Sequence, residues 1–313
     1  ILNNTRQLDI ISILGMPVIV NSTVINAAVV IQKGKVLGVV PKTYLPNYKE
    51  FYEQRWFTSA LVLIKNMGGT ITMELMLSGV TKNYGHFTAL QDFTYVFKEG
   101  VYGLLGPNGA GKSTLMNLIT GNLSPDRGEI LLDGKNIKDL GISYLKHIGF
   151  VPQQQNLYPT FTGKRFLYYM AALKGMDKKR ADLEIPEILN MLNLTKQQDK
   201  KIREYSGGMK QRLLIGQALL DHPSILIFDE PTAGLDPKER IGIRNIISGF
   251  SEDRIVIFAT HVVSDVEKAA TEVLFLKDGL LLPAQKETQD WKDKKTSLEE
   301  VYLHFFGDEG MSL

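Results

Sequence analysis

Gly106-Pro107-Asn108-Gly109-Ala110-Gly111-Lys112-Ser113-Thr114 is the stretch whose reading decides the fold. The apolar run Val101-Tyr102-Gly103-Leu104-Leu105 precedes it and Leu115-Met116-Asn117-Leu118-Ile119-Thr120 follows, so a buried strand, a glycine-rich turn and a helix are expected in succession. Glycines let backbone N–H groups turn inward around phosphate oxygens, and the start of the helix adds partial positive charge. Lys112 then supplies a mobile charge for β- and γ-phosphates, and Ser113 a hydroxyl for Mg²⁺.

Composition narrows the remaining possibilities. A chain of 313 residues with 44% hydrophobic residues can bury a real core in one large or two ordinary domains. Its 36 basic and 34 acidic residues are interspersed and leave a net charge of +2, which implies no nucleic-acid-binding surface. The absence of cysteine excludes disulfides, thiolate metal sites and a cysteine nucleophile. An uncharged run from Ile10 to Gln32 exceeds the ~20 residues that cross a bilayer, but Gly15-Met16-Pro17 and Asn21-Ser22-Thr23 break it into two β-branched runs, which read as strands. No basic leader with a cleavage site is evident, so no secretion signal is expected.

Outward from the phosphate loop, further polar residues stand at the ends of apolar runs. Leu75 to Gly85 and Thr88 to Phe97 read as antiparallel strands, and Tyr84 at the end of the first could stack on a base. His147 to Val151 reads as a strand that ends at Pro152-Gln153, and Ile225 to Phe228 as one that closes on Asp229-Glu230. Continuous hydrophobicity marks the latter as a parallel strand buried on both faces, and two adjacent acids at its end call for a cation or water. Ile255 to Thr260 repeats the device with His261. Between these, residues 154 to 204 carry amphipathic helical spacing, with Pro186 expected to kink the helix or divide it in two. Ser206-Gly207-Gly208 opens a long apolar helix as an N-cap with freed N–H groups. Gln285 to Lys295 reads as a charged connector, and Thr296 to Glu300 as a capping box for a final helix.

The first seventy residues have a different character. Val24–Ile31 and Val36–Val40 form a hairpin pattern around Gln32-Lys33-Gly34-Lys35. The stretch from Pro41 to Phe57 resembles the nitrilase-type glutaminase domain of glutamine-dependent NAD synthetase, and residues 1–60 are expected to be a β-rich, incomplete fragment of that fold. The resemblance places Lys42 on the family's catalytic lysine, but the thiol of its Glu-Lys-Cys set cannot exist here, so no amidase activity is expected. Residues 61–72 form a junction. Gly68-Gly69 shortly before Met73 is what a purine-rich ribosome-binding sequence gives when translated, so Met73 is expected to be the natural start of the second protein, with the preceding segment a fusion or an assembly artefact.

Residues 73–313 resemble the nucleotide-binding subunit of ATP-binding cassette (ABC) transporters, with the motifs in the family's order. Gly106–Thr114 falls on Walker A, Gln153 on the Q-loop, Ser206-Gly207-Gly208 on the signature, Asp229-Glu230 on Walker B, Gly234-Leu235-Asp236 on the D-loop, His261 on the switch histidine and Tyr84 on the adenine-stacking aromatic. The signature departs slightly, reading Tyr-Ser-Gly-Gly-Met where Leu-Ser-Gly-Gly-Gln is the commonest form. The resemblance implies an α/β P-loop NTPase with a RecA-like core, an antiparallel β subdomain and a helical insertion over about 154–212. It implies ATP hydrolysis with Mg²⁺ held by Ser113, Gln153 and Asp229, with Lys112 on the phosphates and Glu230 polarising the attacking water. His261 and Gln153 would sense the γ-phosphate. The implied partners are a second nucleotide-binding subunit, whose ATP the signature contacts, and a separate transmembrane permease of the ABC-2 exporter type. That pairing would hold the chain at the cytoplasmic face of the membrane. A soluble ABC-type ATPase acting in translation or DNA repair is the alternative, though such proteins usually carry paired cassettes or long coiled coils.

Overall fold

Short aliphatic runs alternate with helical spacing along most of the chain, and the computed structural model folds them into two compact units, Ile1–Thr72 and Met73–Leu313. It describes the backbone of residues 11–20, 23–32, 35–41, 47–48 and 51–52. With side chains it describes residues 73–153, 157–251 and 253–307, those of 285 and 286 aside.

In the first unit β1 (Ile11–Val20), β2 (Thr23–Gln32) and β3 (Lys35–Pro41) form an antiparallel sheet in that order, and β4 (Asn47–Tyr48) pairs with β5 (Phe51–Tyr52). The uncharged run is therefore two paired strands, with Gly15-Met16-Pro17 inside β1 rather than at its end. Lys42 lies outside the described residues. Among those described, no helix is long and apolar enough to cross a membrane.

The second unit opens with the hairpin β6 (Leu75–Tyr84) and β7 (Phe87–Phe97), in which Tyr84 faces Phe87 across the turn. Next, β8 (Gly100–Leu105) enters a different sheet, and α1 (Lys112–Ile119) leads back to β9 (Arg127–Leu132) and β10 (Lys135–Asn136). Short helices α2 (Ile137–Leu140) and α3 (Ile142–Leu145) precede β11 (Ile148–Val151). The helical insertion follows as α4 (Gly163–Leu173), α5 (Lys178–Met191) and α6 (Gly207–Leu219), ahead of β12 (Ile225–Asp229). The chain closes with α7 (Pro237–Ser248), β13 (Ile255–Ala259), α8 (Val263–Ala269), β14 (Glu272–Lys277), β15 (Leu280–Leu281), α9 (Gln285–Lys292) and α10 (Leu298–Phe306).

Two sheets result. The antiparallel one runs β10-β9-β6-β7, and the other runs β11-β12-β13-β8-β14-β15 with every pair parallel except the last. Alternation explains why the parallel strands are apolar along their middles, because both of their faces are covered. Ile225, Ile227, Ile255 and Ile257 pack with Leu115 and Met116 of α1 and with Leu75 and Phe93 of the antiparallel sheet. Leu226, Phe228, Val256 and Phe258 pack on the opposite side with Leu213 and Ile215 of α6 and Ile243 of α7.

Two local expectations are corrected. Pro186 sits inside one continuous helix, α5, on its exposed side, so neither two helices nor a break arises there. Residues expected to form a charged connector instead make α9, whose Glu287 lies in the first turn and Lys292 in the last, where each charge complements the helix dipole.

Candidate functional site

Parallel strands deliver their C-terminal ends to one edge of the sheet, so whatever follows each strand collects there. The loop Gly106–Gly111 follows β8, Glu230 follows β12, Thr260 and His261 follow β13, and Pro152-Gln153 follows β11. The order β11-β12-β13-β8 sets these four segments side by side.

The loop is held from outside as well as by its own glycines. Gly111 has φ +104°, and a Cβ there would lie 2.5 Å from the Ala89 carbonyl oxygen, so no side chain fits. The turn between β14 and β15 braces the loop: Gly279 N–H donates to Ala110 O (3.1 Å) and Gln91 N–H donates to Gly279 O (2.8 Å). Sequence reading passed over Gly279, although Asp278-Gly279 at the end of an apolar strand is a hairpin signal that could have found it.

At the start of α1, Lys112 is 9% exposed and its Nζ donates to Gly106 O (2.6 Å) and Pro107 O (2.9 Å). Burial pushes its pKa below the usual lysine range, while Glu230 and Asp229 pull it back up. Ser113 Oγ donates to Asp229 Oδ2 at 3.0 Å. The Asp229 carboxyl is raised above its ordinary value, chiefly by burial, with Ser113 acting the other way and Glu230 adding to the rise. Glu230 adopts φ +52°, a conformation rare for a residue with a side chain, and its N–H donates to Ala259 O at 2.9 Å. Its Oε2 lies 3.0 Å from His261 Nδ1. The Glu230 side chain is nearly covered, whereas that of His261 is 64% exposed.

These residues fit a magnesium nucleotide. The Ser113 hydroxyl and the Asp229 carboxylate converge, and a cation between them would relieve the cost of a buried acid. Among the described residues no cluster of three or more histidines or acids could hold a metal alone. One hydroxyl and one carboxylate are instead a donor set suited to Mg²⁺, which takes one or two protein oxygens and completes its shell with phosphate and water.

Gln153 shares this sheet edge, and the remaining expected site residues stand on other elements. Tyr84, 48% exposed, ends β6, and Gln153 is exposed just past β11. Ser206 caps α6 by accepting from Met209 N–H (3.2 Å), with Gly207 exposed beside it and Gly208 buried. Asp236 caps α7 by accepting from Glu239 N–H (2.9 Å). The first departing residue of the signature is packed into the fold. Tyr205 is buried and donates its hydroxyl to Gln197 O (2.8 Å), and its hydroxyl occupies the space a Cβ on Gly163 would need, 2.2 Å away.

A parallel sheet whose strand runs into a glycine loop and a buried lysine, with an antiparallel sheet covering the loop's helix, is a P-loop NTPase of the cassette type. Residues 90–233 match the family model described as ABC transporter. The uncharacterized ABC transporter ATP-binding protein YxlF of Bacillus subtilis (strain 168) is 36% identical over 206 residues, 66% of this chain and 68% of that protein. The Nod factor export ATP-binding protein I of Bradyrhizobium diazoefficiens is 33% identical over 209 residues, again 66% and 68%. Among solved structures, the dimeric ATP-binding cassette MJ0796 in a post-hydrolysis state with ADP and Pi matches with a TM-score of 0.59 at 30% identity, covering 66% of this chain and 96% of that one. The chain belongs to the ATP-binding proteins of ABC transporters, a family of ATPases. Residues 1–60 lie outside the matched family model, which lends the glutaminase resemblance no support.

Proposed function

We propose that residues 73–313 are the ATP-hydrolysing subunit of an ABC-2-type exporter, working as a dimer on the cytoplasmic face of the membrane beneath a separate permease. The observation that carries this reading is the pair of contacts Ser113–Asp229 and Glu230–His261, set at neighbouring strand ends beside a buried Lys112. Asp229 and Ser113 would hold Mg²⁺ with Gln153 completing the set. The cation, when bound, neutralises charge on the β- and γ-phosphate oxygens. Lys112 exchanges its two loop carbonyls for phosphate oxygens, Glu230 accepts the proton of the attacking water, and His261 holds the Glu230 carboxylate and reaches the γ-phosphate. Tyr84 stacks on adenine, and Ser206, Gly207 and Gly208 serve the nucleotide of the partner subunit, which suits a segment with two exposed residues at a helix start.

The dimer is supported by the 30% identical cassette solved as one, and the exporter reading by relatives such as the Nod factor export protein. The chain's division at Thr72/Met73 supports the inference that residues 1–72, the nitrilase-like fragment 1–60 with Lys42 and the junction 61–72, are separate from the cassette and contribute nothing to hydrolysis, though it says nothing of the nitrilase likeness itself. Two measurements test the whole. Turnover per chain at saturating ATP should rise with protein concentration, and the tagged chain expressed in its own cells should sediment with membranes and copurify with a multi-helix membrane protein. Recovery in the soluble fraction alone would favour an ATPase uncoupled from transport.

A further inference from the structure

The helix α7 touches both functional regions at once. Its first turn presses on the segment assigned to the partner's nucleotide: Glu239 Oε1 lies 3.2 Å from Arg212 Nη2, and Arg212 Nε donates to Gly208 O at 3.3 Å. A Cβ on Gly208 would fall 2.3 Å from Glu239 Oε2, so backbone and carboxylate are in direct contact. One turn further on, α7 grips α8. Asp265, 1% exposed in the first turn of α8, has Oδ1 3.3 Å from Arg244 Nη1 and Oδ2 3.9 Å from Arg240 Nε. A carboxylate this deep is costly unless paired, so the two helices cannot slide independently without exposing or orphaning a charge. Directly before α8 stands His261, and Asp265 lies in the first turn of that helix, four residues further on.

We propose that Glu239, Arg244 and Asp265 form a charged linkage through α7 that couples the Ser206–Gly208 segment to the placement of His261 against Glu230 within the same chain. This rests on the roles given above to those residues. Engagement of Ser206–Gly208 by the partner's nucleotide pushes on Glu239, α7 shifts, and Asp265 carries α8 and His261 with it. The linkage has slack in one arm: a charge-assisted hydrogen bond spans about 3 Å, so the Arg240–Asp265 arm is about 1 Å too long and closes when α7 approaches α8. A packed element with two discrete arrangements is what a coupling of this kind requires. Glu239, Arg244 and Asp265 are positioning residues, acting through the histidine rather than on ATP.

The test is a double-mutant cycle on the full chain with Glu239→Gln, at the contact of α7 with the Ser206–Gly208 segment, and Asp265→Asn, at its contact with α8. Each single variant should lower kcat about 10- to 100-fold, the loss expected when a reacting group moves about 1 Å. KM for ATP and the monomer's affinity for a fluorescent ATP analogue should stay unchanged. The double variant should lose no more kcat than the worse single, while their melting-temperature shifts add. Asp265→Glu should restore part of the rate. Should Asp265→Asn fail to fold, Glu239→Gln and Asp265→Glu carry the comparison, with Glu239→Gln expected to lower kcat alone. Rate losses that multiply in the double variant, or a kcat untouched by Glu239→Gln, would overturn the linkage. A parent chain that failed to hydrolyse ATP at all would instead count against the ATPase reading beneath it.

Discussion

Glu230 shows how much a single residue is committed to its place. Its backbone is held left-handed, its N–H is bound to Ala259 O, and its carboxylate meets His261, so backbone and side chain are both anchored. Glu230→Gln keeps that shape and removes only the ability to take a proton. Turnover should therefore drop by roughly 10² to 10⁴ with ATP binding intact, and the variant should accumulate as an ATP-bound dimer on gel filtration. A variant that hydrolysed ATP like the parent would remove Glu230 as the base. Lys112→Ala and Ser206→Arg should then separate the two halves of the composite site. The first strips a charge from the chain's own phosphates and should weaken ATP binding to the monomer. The second should bind ATP as a monomer and fail to dimerise, and a loss of monomer affinity would speak against a site completed by a second chain. Both residues were legible in the sequence because each sits in a short local motif. Glu239 and Asp265 were not, since their meaning lies in partners 27 and 21 positions away on other helices.

Among the elements, the junction of α4 with the turn before α6 closes tightly around Tyr205, the first residue of the departing signature. Tyr205 OH occupies the volume that any side chain at Gly163 would need. Gly163→Ala should push the tyrosine out, cost about 1–3 kcal/mol as an overpacked core does, and displace the Ser206 cap behind it. A lowered melting temperature together with weakened dimerisation checks this, and Gly163→Ala combined with Tyr205→Leu should recover both. A melting temperature equal to the parent's would mean the pocket yields more easily than the distance suggests. The elements themselves were mostly readable: β8, β12 and β13 from unbroken apolar runs, α10 from its capping box, which Ser297 and Glu300 form as expected. What escaped was α9, because Gln-Lys-Glu-Thr-Gln-Asp-Trp-Lys carries one apolar residue and so no period to detect. Pro186 does not divide its helix in two, because the buried face that Ala181, Ile185, Ile188 and Leu189 make on either side of it carries the helix through.

At the scale of the whole molecule, the cassette unit carries both core clusters within residues 73–313 and is large enough to fold alone. A chain beginning at Met73 should melt at the same temperature as the parent or higher and hydrolyse ATP at an unchanged rate. Unfolding of that shortened chain, or loss of nucleotide binding, would show that the first unit is needed. The sheet order also sets a clock. The strand that launches the phosphate loop, β8, lies between β13 and β14, so its two neighbours are the segments Ile255–Ala259 and Glu272–Lys277, synthesised long after it. At about 5–20 residues per second the ribosome takes roughly ten to thirty seconds to supply them. Until they arrive the strand that carries the glycine loop has no neighbour to pair with in its sheet. The nucleotide site is thus among the last parts of the molecule to come into existence, and a stalled nascent chain ending before β13 should retain no ATP however long it waits.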